Sequence, residues 1–103
     1  MIGSKFPYFK QKQTIMSKLN VLYFSAPWCG PCKMFGPAFD EVVAEFDDID
    51  VKKINIDEEL VLAKEYEIMS IPTVVLEKDG IRVFRHKGVM PKTHLKDLIQ
   101  IHK

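Results

Sequence analysis

The chain has 103 residues, the length of a single domain that can bury one core and is too short for two. Hydrophobic residues make up 47% of it and charged residues 28%, a balance that excludes an intrinsically disordered chain. Fifteen basic residues against fourteen acidic ones leave a formal charge of +1, which excludes the strong field of a nucleic-acid or anionic-membrane binder.

At the N-terminus, Lys5, Lys10, Lys12 and Lys18 interrupt the apolar residues, so the apolar stretch of about 7 to 15 residues that a signal peptide needs is missing. No apolar run approaches the roughly 20 residues of a membrane span. These features predict a cytoplasmic protein, whose cysteines an intracellular environment would keep reduced. Residues 1–19 are read as a short edge strand and helix, or as an extension, on the strength of Phe6, Tyr8, Phe9, Ile15 and Met16. Met16 also offers an alternative start.

Asn20 to Ser25 reads as a buried strand, because Val21, Leu22, Tyr23 and Phe24 are β-formers in one apolar run that ends at the turn-prone Ala26-Pro27. From Cys32, the residues Phe35, Phe39, Val42, Val43 and Phe46 recur at helical spacing, with Asp40, Glu41 and Glu45 opposite. Pro37 inside this helix removes one backbone donor and predicts a kink. Val51 to Asp57 is the next strand, and Glu59 to Tyr66 a short helix begun by Glu58 and Glu59. Thr73 to Lys78 and Ile81 to His86 flank Asp79-Gly80, the signature of a tight type I′ hairpin. After Gly88, Leu95, Leu98, Ile99 and His102 mark a last helix with Pro91 at its first position. The order predicts one domain over residues 1–103, of the α/β class. Its mixed sheet has four to five strands and three to four flanking helices, parallel across the βαβ half and antiparallel in the hairpin.

Two cysteines are too few for an extracellular disulfide framework, so their spacing carries the information. Cys29 and Cys32 are separated by Gly30 and Pro31, close enough for the sulfurs to bond and to cycle between dithiol and disulfide. Cys29 follows a strand and opens a helix, where free backbone N–H groups and the helix dipole favour a thiolate, and Lys33 adds a positive charge. Pro31 stiffens this turn and affects the balance between dithiol and disulfide. A structural zinc site needs four ligands, and His86, His94 and His102 lack the paired spacing of zinc modules, so no metal is expected. Trp28 is either a surface-packed aromatic or, beside a reactive thiol, a contact for substrate. The three histidines are read as solvated or helix-terminal.

Phe24-Ser25-Ala26-Pro27-Trp28-Cys29-Gly30-Pro31-Cys32-Lys33, then Lys53-Ile54-Asn55-Ile56-Asp57, Ser70-Ile71-Pro72-Thr73, Lys78-Asp79-Gly80 and Gly88 stand in the order and spacing of the thioredoxin family. The chain closely resembles that family over about residues 20 to 103. The resemblance implies a thioredoxin-like fold and a protein-disulfide reductase whose only redox group is the Cys29–Cys32 disulfide, with no added cofactor. It implies that Cys29 attacks a target disulfide and that Cys32 resolves the mixed disulfide. It further implies a cis Ile71-Pro72 bond facing the cysteines, with Ile71 offering backbone hydrogen bonds to an extended substrate. Trp28, Gly30, Pro31, Pro72, Gly88 and Val89 are implied to line the rest of the groove. The implied partners are protein disulfides and a thioredoxin reductase or other dithiol donor; the domain is expected to be a monomer.

Two departures accompany the resemblance. Tyr23 stands where the family carries a buried aspartate six positions before the first cysteine, and a phenol with a pKa near 10 is a poor proton acceptor at neutral pH. It is either a core aromatic or the sign that Cys32 is deprotonated through water or another group, with Lys53 losing the family's partner. The second departure is the N-terminal segment, which shows no clear match by motif. A rival function of another class uses the same groove to hold a partner in a larger complex, with the thiols dispensable.

Overall fold

The computed structural model of the protein describes residues 18–103. The strand and helix expected before residue 18 lie outside the described residues. β1 (Leu19–Ser25), α1 (Gly30–Val43), β2 (Ile49–Asn55), α2 (Leu60–Glu65), β3 (Thr73–Lys78), β4 (Ile81–Lys87) and α3 (Lys92–His102) follow one another along the chain. The described strands form one mixed sheet in the order β2-β1-β3-β4. β1 pairs with β2 in parallel, Leu19 opposite Ile49 and Ser25 opposite Asn55, and with β3 antiparallel, Phe24 opposite Thr73. The β3–β4 hairpin turns at Asp79 and Gly80, with φ of 57° and 76°. These positive angles at both central residues are what a type I′ turn requires.

Period-2 alternation along β1 divides the core into two layers. Leu19, Val21 and Tyr23 point to one face, where they pack with Phe35, Phe39 and Val42 of α1 and Leu95 and Ile99 of α3. Leu22 and Phe24 point to the other, against Ile54, Val75 and the residues around α2. Both faces of β1 are therefore covered, as its unbroken apolar run predicts.

Several boundaries differ from the sequence expectation. β2 begins at Ile49 and ends at Asn55, two residues earlier than expected, because Ile49 is buried opposite Leu19 while Ile56 and Asp57 enter the turn toward α2. Val51 is 39% exposed, so it is not core. The helix α1 starts at Gly30 and runs on through Pro37, and Phe46 packs from beyond its end. Pro91 caps α3 from an extended conformation, φ −63° and ψ 149°, so it precedes the helix instead of opening it. Its fixed φ suits both positions.

Candidate active site

Ala26, Pro27 and Trp28 lead from the end of β1 into α1, and the Ala26 carbonyl accepts a hydrogen bond from the Cys29 amide at 3.1 Å. Cys29 is the N-cap of α1, in extended conformation, and its Sγ accepts a hydrogen bond from the Cys32 amide at 3.2 Å. The sulfur thus occupies the place usually taken by a capping oxygen, and satisfies one of the N–H groups left free in a first turn. Pro31 falls in that same first turn, where its missing N–H leaves no intrahelical bond unmade. Cys29 and Cys32 are joined as a disulfide, with their Cα atoms 5.2 Å apart. Both are nearly covered, at 4% and 6% exposure, so an incoming sulfur has one narrow approach.

Across that approach, the Ile71 carbonyl oxygen lies 3.8 Å from Cys29 Sγ, and the Ile71-Pro72 peptide bond is cis. The Pro72 carbonyl accepts a hydrogen bond from the Gly88 amide at 2.7 Å, which ties the segment after β4 to the cis turn. Gly88 has a φ of 93°, a conformation costly for any residue with a Cβ. Next to it, Val89 is 53% exposed, and its carbonyl lies 3.3 Å from His86 Nε2. Trp28 is 65% exposed and not buried in the core; its Nε1 donates to Asp57 Oδ2 at 2.8 Å. The Asp57 amide in turn donates to Asn55 Oδ1 at 2.8 Å. Asp57 is the residue that sequence reasoning passed over. It stood within the matching Lys53-to-Asp57 motif, and a paired carboxylate one turn past β2 was the signal available.

Behind the disulfide, Tyr23, Cys32, Lys33, Gly36, Lys53 and Asn55 line a cleft of about 300 Å³. The Tyr23 hydroxyl donates to the Cys32 carbonyl at 3.4 Å, and its ring stacks on Phe39 at 4.5 Å and meets Phe35 edge-on at 5.8 Å. Burial in this apolar setting raises the Tyr23 pKa above its ordinary 10, and the negative charge of Asp40 raises it further. The phenol stays protonated at neutral pH and can donate, not accept, a proton there. With Tyr23 in place of the family's aspartate, Lys53 has no carboxylate at that position, and its Nζ donates to Asp40 Oδ1 at 2.8 Å instead. Asp40 lies on the polar side of α1, thirteen positions away in sequence, and the packing of α1 on the face of the sheet brings it within reach. Among the described residues no three His, Cys, Asp or Glu side chains cluster as a metal site would need.

The comparisons with known proteins agree with one another. The thioredoxin family model matches residues 6–101, which extends the match well ahead of the motifs, into the N-terminal segment. The chain belongs to the thioredoxin family. It is 44% identical over 96 residues to thioredoxin 1 of Synechococcus elongatus, covering 91% of this chain and 89% of that protein. It is also 44% identical over 88 residues to a thioredoxin of Chlamydia pneumoniae, covering 85% and 86%. Among solved structures, Fasciola hepatica thioredoxin superposes with a TM-score of 0.78 at 34% identity, covering 84% of this chain and 82% of that one. The oxidised mitochondrial thioredoxin 3 of Saccharomyces cerevisiae gives 0.74 at 36% identity, covering 82% and 78%. As a thioredoxin-family protein with its Cys29–Cys32 disulfide in place, the chain is a dithiol/disulfide oxidoreductase. The family implies protein substrates and a reductase partner in general terms.

Proposed function

We propose that this chain, as a single domain, reduces protein disulfides, with Cys29 as attacking and Cys32 as resolving thiol. The observation that carries the reading is the position of Cys29 Sγ, which takes the Cys32 amide at 3.2 Å at the N-cap of α1. That donor and the first-turn dipole stabilise negative charge on the sulfur, which is the nucleophile in disulfide exchange. Cys29 thiolate attacks one sulfur of a target disulfide, forming a mixed disulfide and expelling the other target sulfur as a thiolate. Cys32 then loses its proton and attacks Cys29 Sγ, which closes the Cys29–Cys32 disulfide and releases the second target sulfur. Two electrons pass to the target, and an external dithiol or a flavoenzyme reductase restores the pair. A reducing compartment such as the cytoplasm suits this direction.

In this reading Trp28, Gly30, Pro31, Ile71, Pro72, Gly88 and Val89 form the substrate groove. The Ile71 carbonyl, 3.8 Å from the reacting sulfur, is placed to accept from a substrate backbone N–H. Tyr23, Lys33 and Lys53 border the cleft behind Cys32 and modulate its proton transfer. Because Tyr23 is a protonated phenol, the Cys32 proton leaves through that cleft to solvent. The test is the reduction of insulin disulfides by dithiothreitol with and without the protein. Acceleration that is lost in Cys29→Ser, together with a stable mixed disulfide in Cys32→Ser, is the expected result. No acceleration by the reduced, folded protein would overturn the reading and favour a binding subunit with dispensable thiols.

A further inference from the structure

The helix α2 ends in a turn that no glycine relieves. Ile68 donates its amide to the Ala63 carbonyl at 2.9 Å, and Glu67 donates to the Lys64 carbonyl at 3.0 Å, the paired bonds of a Schellman stop. The residue that closes such a stop takes a left-handed conformation, and here it is Glu67, with a φ of 52°. A Cβ makes that conformation costly, so it persists only where its surroundings hold it. Arg85 holds it from β4: its Nη1 donates to the Tyr66 carbonyl at 2.5 Å and its Nη2 to the Glu67 carbonyl at 2.6 Å. The planar guanidinium spans two successive carbonyls at the end of α2, a fit that the point charge of a lysine does not reproduce. Arg85 stands opposite Val75 in the β3–β4 ladder, on the sheet face that α2 covers, and is itself half-buried.

The chain that leaves this turn runs through Ile68, Met69 and Ser70 to Ile71, whose carbonyl oxygen lies 3.8 Å from Cys29 Sγ. At the far end of the segment the Thr73 hydroxyl donates to the Ser70 carbonyl at 2.7 Å. Ile68 and Ile71 rest on the core beneath, but Met69 is 84% exposed and Ser70 is exposed as well. Packing therefore fixes only part of the segment, and its path depends on the two anchored ends. We propose that Arg85 is a positioning residue for disulfide reduction. By holding the Glu67 turn it sets where the Ile71 main chain stands beside Cys29, and so how tightly a polypeptide backbone pairs there. The proposal rests on the reductase reading above, with the Ile71 main chain as the substrate contact.

The test compares Arg85→Met, Arg85→Lys, Glu67→Gly and the Arg85→Met, Glu67→Gly double variant in the full chain, each first checked for native far-UV circular dichroism. Insulin serves as the polypeptide substrate and a small aromatic disulfide, which has no peptide backbone to pair with Ile71, as the control; dithiothreitol recycles the protein. Arg85→Met is expected to raise the KM for insulin about three- to tenfold with similar kcat, the range that one hydrogen bond to the substrate commands. Its rate with the small disulfide should be unchanged. Arg85→Lys should fall between Arg85→Met and the native protein, since an ammonium group does not bridge both carbonyls. Glu67→Gly should behave as the native protein, and in its background Arg85→Met should raise KM by less than about twofold, because glycine takes the left-handed turn without support. An insulin KM unchanged in both Arg85 variants overturns the proposal, as does a parallel loss with both substrates or a KM rise that Glu67→Gly leaves undiminished. If Arg85→Met does not fold, Arg85→Lys with and without Glu67→Gly makes the same comparison. Failure of the native protein to reduce even the small disulfide would overturn the reductase reading, and the proposal with it.

Discussion

Replacing Tyr23 by aspartate, which places a carboxylate six positions before Cys29, is predicted to destabilise the protein by about 4 kcal/mol at pH 7. Tyr23 is 2% exposed, stacks on Phe39 at 4.5 Å and meets Phe35 at 5.8 Å, so removing its ring opens the centre of the larger core cluster. Large aromatic residues truncated in cores cost about 3–5 kcal/mol, and a poorly paired polar group left there adds about 1–3 kcal/mol. Contact of the carboxylate with the solvent of the neighbouring cleft offsets part of this second cost. Against a total stability of about 5–15 kcal/mol, the change brings the protein close to its threshold. Tyr23→Phe is the matched control, because it keeps the ring and loses only a long 3.4 Å bond to the Cys32 carbonyl, worth less than about 1 kcal/mol. Urea unfolding followed by far-UV circular dichroism reads the difference. With a slope of about 2 kcal/mol per molar, the Tyr23→Asp midpoint falls by about 2 M and that of Tyr23→Phe by less than about 0.5 M. A Tyr23→Asp variant within about 1 kcal/mol of the native protein would refute the packing argument. On the mechanistic side, Tyr23→Phe, which adds no acid to the cleft, should change the pH profile of insulin reduction only slightly, and Tyr23→Asp should shift it more. An unshifted profile in the aspartate variant would show that no acid at this position takes part in proton transfer.

Asp40→Asn should alter stability by less than about 1 kcal/mol, because both partners of its ion pair with Lys53 are about half exposed, at 54% and 51%. The same variant should lower the Tyr23 pKa measured by ultraviolet titration, yet leave it above 10, since burial is the larger cause of the rise and Asp40 the smaller. The Tyr66 hydroxyl donates to Glu77 Oε2 at 2.6 Å, and burial followed by that bond pushes its pKa up to about 12. Between pH 10 and 12 the unfolded chain loses the Tyr66 proton and the folded one keeps it, so stability present below pH 10 is lost as pH rises through this window. Tyr66→Phe should flatten that loss by up to about 1 kcal/mol, read as the difference between the two proteins' unfolding curves at pH 9 and pH 11.

The chemistry of the site was legible in the local sequence. Cys29, Gly30, Pro31 and Cys32 are neighbours, and a strand before them with a helix after them puts Cys29 at a helix N-cap whatever the rest of the chain does. The Asp79-Gly80 hairpin was equally local, since two residues able to take positive φ suffice to specify the turn. Expectations went wrong where long-range pairing sets the outcome. β2 is displaced two residues because its register is chosen by Leu19 and Ile49 across the sheet, and that choice outweighed the β-forming character of Val51 and Ile56.

The sequence by itself determined the α/β order, the two-sided burial of β1 and the dithiol turn, because each is encoded in the spacing of a few successive residues. The tertiary structure alone decided what surrounds that turn. It brought Ile71 to Cys29 from forty-two positions away, Asp57 to Trp28 from twenty-nine, and Asp40 to Lys53 from thirteen. Such contacts depend on how helices and loops settle onto the sheet, and neither periodicity nor turn chemistry encodes a distance between residues that meet only after the core has closed.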